Sequence, residues 1–301
     1  MRGFLTALAL LTAAFANAGP VPFPTDESVP GGVAVVPLSV QGKIAPKVEL
    51  AGHRIMVVTH DGQWYALAGI SLDATPGEMS LEVQDGATMS QVKFTVLPKE
   101  YALQSLTIAN PEMVNPTAAQ MKRIEREQAH LDKVMNGWRK TRKPGISFIW
   151  PAAGPETSPF GVKRVLNGEA KSPHSGIDIG APAGTPVRAP ANAVVADVGH
   201  YYFCGKTLTL DMGQGLYSVY CHLSRIKVNP GAHVKQGQVV GKIGATGRTT
   251  GPNLHWTVRL NGAAVDPHVF LGANAPVPTP GSTVPPRPAA SVPAAATSHG
   301  E

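Results

Sequence analysis

Between residues 32 and 97 apolar positions fall in short runs, several with a period of two, and not in helical stripes. Gly32-Val-Ala-Val-Val-Pro-Leu-Ser-Val40 and His53-Arg-Ile-Met-Val-Val-Thr59 are rich in the β-branched and aliphatic residues that suit a pleated surface. Asp61-Gly62 is a hairpin signal ahead of Trp64-Tyr-Ala-Leu67. Ser80-Leu-Glu-Val83 and Gln91-Val-Lys-Phe-Thr-Val-Leu97 alternate polar and apolar. Short strands at this spacing predict a small sandwich. His53 and His60 lie in it without a second ligand nearby and read as surface or structural residues.

The period changes after Asn115-Pro116-Thr117. Either Asn115 or Thr117 can cap a helix over Ala118 to Trp138, with an apolar stripe of Met121, Ile124, Leu131, Val134, Met135 and Trp138. Lys122, Arg123, Glu125, Arg126 and Glu127 supply i,i+3 and i,i+4 pairs on its polar side, so the helix reads as a connector packed on a domain. Arg139 to Pro144 is a basic linker, which puts a boundary near residue 143. From Ile146 to about Leu271 a second β-domain follows. In it Thr207-Leu-Thr-Leu-Asp211 and Leu216-Tyr-Ser-Val-Tyr220 flank Met212-Gly-Gln-Gly215 as a hairpin. The simplest register sets Asp211 opposite Leu216 and Lys206 opposite Cys221, with Cys204 two positions away. A Cys204–Cys221 disulfide is then one expectation for an exported chain with 2 Cys, and a metal role for Cys221 the other.

The two ends differ in composition from the rest. Arg2, the apolar run Phe4 to Phe15 and Ala16-Asn17-Ala18 form a secretory signal, cleaved after Ala18; an uncleaved anchor is the alternative. Residues 273–301 are rich in Pro, Ala, Ser and Thr and predict a disordered tail, His299 included. The expected division is a signal peptide at 1–18, a β-domain at 19–110, helix and linker at 111–143, and a second β-domain at 144–272. With 32 Gly, 28 Pro and 6% aromatics the whole is mainly β, with many turns. The formal charge of +6 becomes +5 once Arg2 leaves, which favours anionic polymers or surfaces. No basic run interleaved with aromatics points to nucleic acid, and no stretch after the signal predicts a stable membrane span.

Chemistry concentrates in Ser172-Pro-His-Ser-Gly-Ile-Asp-Ile-Gly180. Its prolines and glycines oppose a helix; on an extended strand an interval of four leaves His174 and Asp178 on one face. An imidazole and a carboxylate so placed are half of a zinc site. Asn253-Leu-His255 sets Asn253 and His255 on one face of another strand, and His222 ends the hairpin. His174, Asp178 and His255 with one open position have the layout of catalytic zinc, and His222 could act as general base or donate to an oxyanion. His200 reads as a loop residue with a substrate contact as the alternative; His233 and His268 read as surface residues.

Taken together, Ser158-Pro-Phe-Gly161, His174-Ser-Gly-Ile-Asp178, Gly184-Thr-Pro-Val187, Tyr220-Cys-His-Leu223, Gly237-Gln238, Gly244-Ala-Thr-Gly247 and Thr250-Gly-Pro-Asn-Leu-His255 resemble the lysostaphin/LytM-type zinc metallopeptidases of bacterial peptidoglycan. The resemblance covers residues 158–271, and more loosely the region before them. It implies an all-β peptidase domain with Zn2+ held by His174, Asp178 and His255, and a catalytic histidine at His222. The family's His-x-His pair is Asn253-Leu254-His255 here, so a second catalytic imidazole is replaced by an amide that cannot shuttle a proton. The expectation is an exported, periplasmic or secreted, zinc metalloendopeptidase (a peptidoglycan hydrolase), with any regulatory protein partner left unnamed. The alternative is a catalytically weakened cell-wall-binding regulator or amidase activator of the same fold.

Overall fold

In the computed structural model, residues 23–40, 42–272 and 279 are described. The signal-peptide segment 1–18 and nearly all of the expected tail lie outside the described residues. The amino-terminal strands are β1 (Val33–Leu38), β2 (Lys47–Leu50), β3 (His53–Arg54), β4 (Met56–His60), β5 (Gln63–Gly69), β6 (Gly77–Asp85) and β7 (Thr88–Val96). They form two sheets, β1-β5-β4 and β3-β2-β6-β7, which enclose a core of Ala34, Val36, Leu38, Val57, Ala66, Ala68, Leu81 and Val83. The expected sandwich is there, with two differences. Residues 47–50 form a strand that the pattern did not predict. The run His53–Thr59 divides at Ile55, which donates to the Val48 carbonyl and carries the chain from one sheet to the other.

The sheet β1-β5-β4 is apolar on both faces. Its second face offers Val33, Met56, Val58 and Leu67, which belong to the core of the carboxy-terminal part. Two turns of that part seal the contact with hydrogen bonds to strand backbone. Gln214 takes the Val57 N–H at 2.9 Å and donates to the Val57 carbonyl at 3.2 Å, while Asn261 does the same for Gly69 at 2.7 and 3.0 Å. Buried backbone that would otherwise be orphaned is thus satisfied.

Strand β8 (Leu103–Leu106) leads into a 3-10 turn at Pro111–Met113 and then helix α1 (Ala118–Met135). Thr117 is the cap, in a capping box with Gln120. The helix ends at Met135, short of Trp138, where Asn136-Gly137 closes it. Its expected stripe is mostly only half-buried: Met135 alone is fully buried, and Met121 is 39% exposed. The helix is held by polar contacts instead, with Glu127 accepting from the Tyr202 N–H at 2.7 Å, His130 meeting Asp197 at 2.9 Å and Arg123 donating to the His200 carbonyl.

The remaining strands are β9 (Glu156–Ser158), β10 (Lys163–Leu166), β11 (Glu169–Lys171), β12 (Ile177–Gly180), β13 (Pro186–Arg188), β14 (Ala193–Tyr201), β15 (Gly205–Gly213), β16 (Leu216–Ile226), β17 (His233–Val234), β18 (Val239–Ile243), β19 (Asn253–Leu260) and β20 (Ala263–Val265), before a last turn α2 (His268–Leu271). Ten of them make one sheet with the order β17-β14-β15-β16-β19-β12-β9, to which β18, β13 and β20 attach. β8 pairs in parallel with β10, tying the segment after the sandwich to this half. The chain is mainly β, as its pattern predicts.

The β15–β16 hairpin forms in a different register from the simplest one. Asp211 faces Tyr217 and Lys206 faces Leu223, with bulges between. The turn is only Gln214-Gly215, with φ of 51° and 77°, the left-handed pair that a two-residue hairpin of the right twist needs. Cys204 and Cys221 are free thiols, so the expected bridge is not formed. They share a small apolar cluster under α1 and hydrogen-bond each other, which lowers the Cys204 thiol to about 7 and, with burial, raises that of Cys221.

Candidate metal centre

Cross-strand register builds the site. On β12 and β19, Asp178 lies directly opposite His255, while Ile177 pairs with Trp256 and Ile179 with Leu254. Side chains alternate between faces, so Ile177, Ile179, Leu254 and Trp256 enter the core, each at 0% exposure, and Asp178 and His255 share the other face. His174 departs from the sequence expectation. It is not on β12 but in the segment before it, clamped by His174 N–H to the Val162 carbonyl and Gly161 N–H to the His174 carbonyl.

The three side chains nevertheless converge, and among the described residues they form a group able to hold a metal ion. His174 Nε2 lies 2.9 Å from His255 Nδ1, which is 2.9 Å from Asp178 Oδ1, and His174 Nε2 is 3.2 Å from that oxygen. The chemistry of the donor set decides whether zinc fits. His174 Nδ1 lies 2.9 Å from the Pro159 carbonyl, which only accepts, so a neutral His174 has its proton there and its Nε2 lone pair faces the cluster. His255 Nε2 is 2.9 Å from the Thr257 hydroxyl, an acceptor that lets Nδ1 present its lone pair as well. Two imidazole lone pairs and a carboxylate oxygen aimed at one point call for a cation. Their separations approach the roughly 3.3 Å edge of a tetrahedron whose metal–ligand bonds are about 2.0–2.1 Å. The residues fit zinc.

Protonation agrees. Burial pushes the His174 imidazole down, only partly opposed by Asp178. Burial alone would raise the Asp178 carboxyl, but the His174 and His255 imidazoles beside it outweigh burial and hold the group well below the usual carboxylate range. Arg164 on β10 fixes its other oxygen at 2.7 Å. Ser158 joins this support, 3.1 Å from His174 Nδ1 and donating to Gln104 of β8 at 2.7 Å. Arg164, Gln104 and Thr257 were not singled out from sequence, because nothing local ties them to the ligands; Ser158 stood in the resembling motif without a role.

His222 stands next to this cluster, its ring centroid 6.1 Å from that of His255. β16 pairs with β19 as far as Cys221 opposite His255, then with β18 from Leu223 opposite Ile243. His222 is the residue at which the strand changes partner, and its φ of 64° is a left-handed conformation costing of order 1–3 kcal/mol. Its N–H donates to the Cys204 carbonyl at 2.7 Å and its Nδ1–H to the Thr246 carbonyl at 2.8 Å, which leaves Nε2 as the free lone pair. Burial, then the neighbouring His255 imidazole, push His222 down to about 4, so it is neutral at pH 7 and able to accept a proton. The Thr246 loop is held against it by close backbone packing. A Cβ at Gly247 would meet the Gly205 nitrogen and Phe203 oxygen at 2.4 Å. Asn253 is on the same face of β19 as His255, two residues earlier, and its Oδ1 accepts from the Thr249 hydroxyl at 3.1 Å.

Residues 108–115 run between the two sides of the site. Ile108 exchanges hydrogen bonds with Asn167 and Asn115 bonds Glu169 and Lys171 on the β10–β11 side. Opposite, Glu112 and Met113 offer carbonyls to the Tyr202 hydroxyl and Arg248. The other histidines stay apart. His53, His200 and His233 are exposed, and His60 stacks on Phe23. His268 is an exposed residue as expected, yet bonded to Asp266 and Glu156 at 2.7 and 3.0 Å. A cavity of about 710 Å³ opens elsewhere, between the sandwich, the end of α1 and the β19–β20 turn, and contains none of the cluster residues.

A His-Asp-His cluster on a β-sheet with a separate histidine beside it is an arrangement of the metallopeptidase class, and comparison with known proteins agrees. Residues 172–267 match peptidase family M23, and residues 26–99 match the peptidase family M23 N-terminal domain. A solved structure from Pseudomonas aeruginosa, described as a peptidase M23, is 40% identical over 82% of this chain and 96% of its own, with a TM-score of 0.71. The chain belongs to peptidase family M23. Among curated relatives, the DD-carboxypeptidase/endopeptidase Mpg of Neisseria meningitidis is 40% identical over 111 residues, which are 37% of this chain and 26% of the relative. The peptidoglycan DD-endopeptidase ShyC of Vibrio cholerae is 37% identical over 113 residues, with the same two shares. The chain therefore spans about a quarter of the length of these curated relatives.

Proposed function

We propose that the protein is an exported zinc metalloendopeptidase that hydrolyses peptide bonds in bacterial peptidoglycan. The observation that carries this is the convergence of His174 Nε2, His255 Nδ1 and Asp178 Oδ1 within about 3 Å of one another, with the free nitrogen of His222 beside them. Membership of family M23 and the named activities of the relatives support the substrate class. The amino-terminal signal supports export to the periplasm or beyond.

His174, Asp178 and His255 would hold zinc, which when bound acidifies water and polarises a carbonyl. The protein's own groups do the rest. Asp178 stays ionised, oriented by Arg164, and His174 and His255 keep their lone pairs inward through Pro159 and Thr257. His222 takes the proton of the attacking water at Nε2 while its Nδ1–H, bound to Thr246, fixes the ring. Asn253 can donate an amide hydrogen to a developing oxyanion but cannot carry a proton. The test is muropeptide release from purified sacculi by zinc-loaded protein, with His174→Ala as control and bound metal counted. Release by the native chain, abolished together with the metal in the variant, is expected; native zinc-loaded protein that releases nothing sinks the proposal.

A further inference from the structure

Arg248 carries a charge that the fold partly buries and does not neutralise. Its guanidinium lies over Phe203, 4.2 Å from the ring centroid, and one N–H donates to the Met113 carbonyl at 3.2 Å. Its backbone N–H bonds the Phe203 carbonyl at 2.7 Å. Among the described residues no carboxylate lies within ion-pair distance of it. Burial pushes this guanidinium below its ordinary value, the Arg164 charge adds to that, and the groups that oppose them are Cys204 and Tyr202, neither a carboxylate.

Arg248 also lies in the loop that borders the site: the Thr246 carbonyl, two residues before it, holds His222 Nδ1 at 2.8 Å, and the Thr249 hydroxyl, one residue after it, donates to Asn253 Oδ1 at 3.1 Å. A guanidinium offers five donors in a rigid planar fork suited to a carboxylate, and here one of them is taken. The ring beneath and the backbone bond hold that fork in one place, so little freedom is lost when it is filled. A partly desolvated cation with no anion of its own is costly, and an anionic ligand removes the cost.

We propose that Arg248 is a specificity-determining residue: it binds a carboxylate of the substrate peptide, so that the site selects peptides with a free carboxylate near the scissile bond over the same peptides amidated there. This rests on the peptidase reading above and names its substrate class more narrowly, as anionic peptides.

The probe is a hydrolysis-resistant stem-peptide analogue, with the scissile amide reduced, made with either a carboxylate or a carboxamide on the residue after that bond. Calorimetry on the full chain compares wild type, Arg248→Gln and Arg248→Lys. Wild type should bind the acid roughly ten- to a hundredfold more tightly than the amide, the range of a charge-assisted pair. Arg248→Gln should erase that ratio by weakening the acid alone, with zinc content and melting temperature unchanged, and Arg248→Lys should narrow it. Equal affinity for acid and amide in wild type overturns the inference. So does Arg248→Gln weakening both ligands alike, or a ratio that Arg248→Lys leaves unchanged; the last decides the matter if Arg248→Gln does not fold. Muropeptide release is measured separately, so failure of the peptidase reading is distinguishable from failure of this one.

Discussion

Replacing Thr257 by Val probes how the protein prepares its metal site. The side chain keeps its shape but loses the hydroxyl 2.9 Å from His255 Nε2. Thr257 is 8% exposed, so water does not readily take its place. Without that acceptor the proton on His255 is no longer favoured on Nε2, and the tautomer with Nδ1–H, turned toward Asp178 Oδ1 at 2.9 Å, competes with metal. A neutral hydrogen bond is worth about 1 kcal/mol net, which is about a fivefold change in affinity. Loss of the partner of a metal-binding histidine typically costs about 10- to 100-fold. The ring keeps its packing against His174, 4.9 Å between centroids, so the low end applies. A fivefold to tenfold weaker zinc Kd is the expected order of magnitude. Competition titration against a chromophoric chelator reads it directly, with Thr257→Ser restoring the hydroxyl as control. If Thr257→Val held zinc as tightly as wild type, or Thr257→Ser fell equally, Thr257 would not be orienting His255.

Gln214→Met removes three hydrogen bonds, to Val57 N–H, Val57 carbonyl and Thr141 carbonyl, at similar volume and in the same left-handed turn. At about 1 kcal/mol each the loss is about 3 kcal/mol, read as a lower urea midpoint; an unchanged midpoint would show that this contact does not matter. His268→Gln tests an ion cluster. Bonds from Asp266, then Glu156, raise His268 to about 10, above its unfolded value near 6.5. Its stabilisation is therefore complete below about pH 6.5 and lost as pH rises through about 10. Discounted for the screening of a partly exposed group, the variant should lose about 1–2 kcal/mol at about pH 6 and converge on wild type above about pH 10. A difference independent of pH would refute the assignment.

Local chemistry made much of the fold legible. The alternation in Gln91–Leu97 and the Asp61-Gly62 turn fix strands because side-chain period and turn φ are properties of a few neighbouring residues. Thr117 with Gln120 announces the helix start for the same reason. The helix stripe misled because α1 lies shallowly on β14–β16, held by Glu127, His130 and Arg123, so apolar spacing was not matched by burial. The β15–β16 register shifted because Gln214-Gly215 makes a tighter turn than the four residues between the expected strands, with bulges absorbing the difference.

By itself, the sequence determined the kinds of group available: His174, Asp178 and His255 are residue types that zinc takes, and His222 is an imidazole held apart from them. What only the tertiary structure decided was their meeting. Asp178 and His255 share a face because β12 pairs with β19 in one register. His174 reaches them from outside the strand through its clamp on Gly161 and Val162, and His222 turns toward them where β16 exchanges β19 for β18. Arg164, Thr257 and Arg248 acquire their places in the same way. Such placements depend on pairings between residues tens of positions apart, and a local pattern of apolar and polar residues carries no information about which distant strand will satisfy a given backbone.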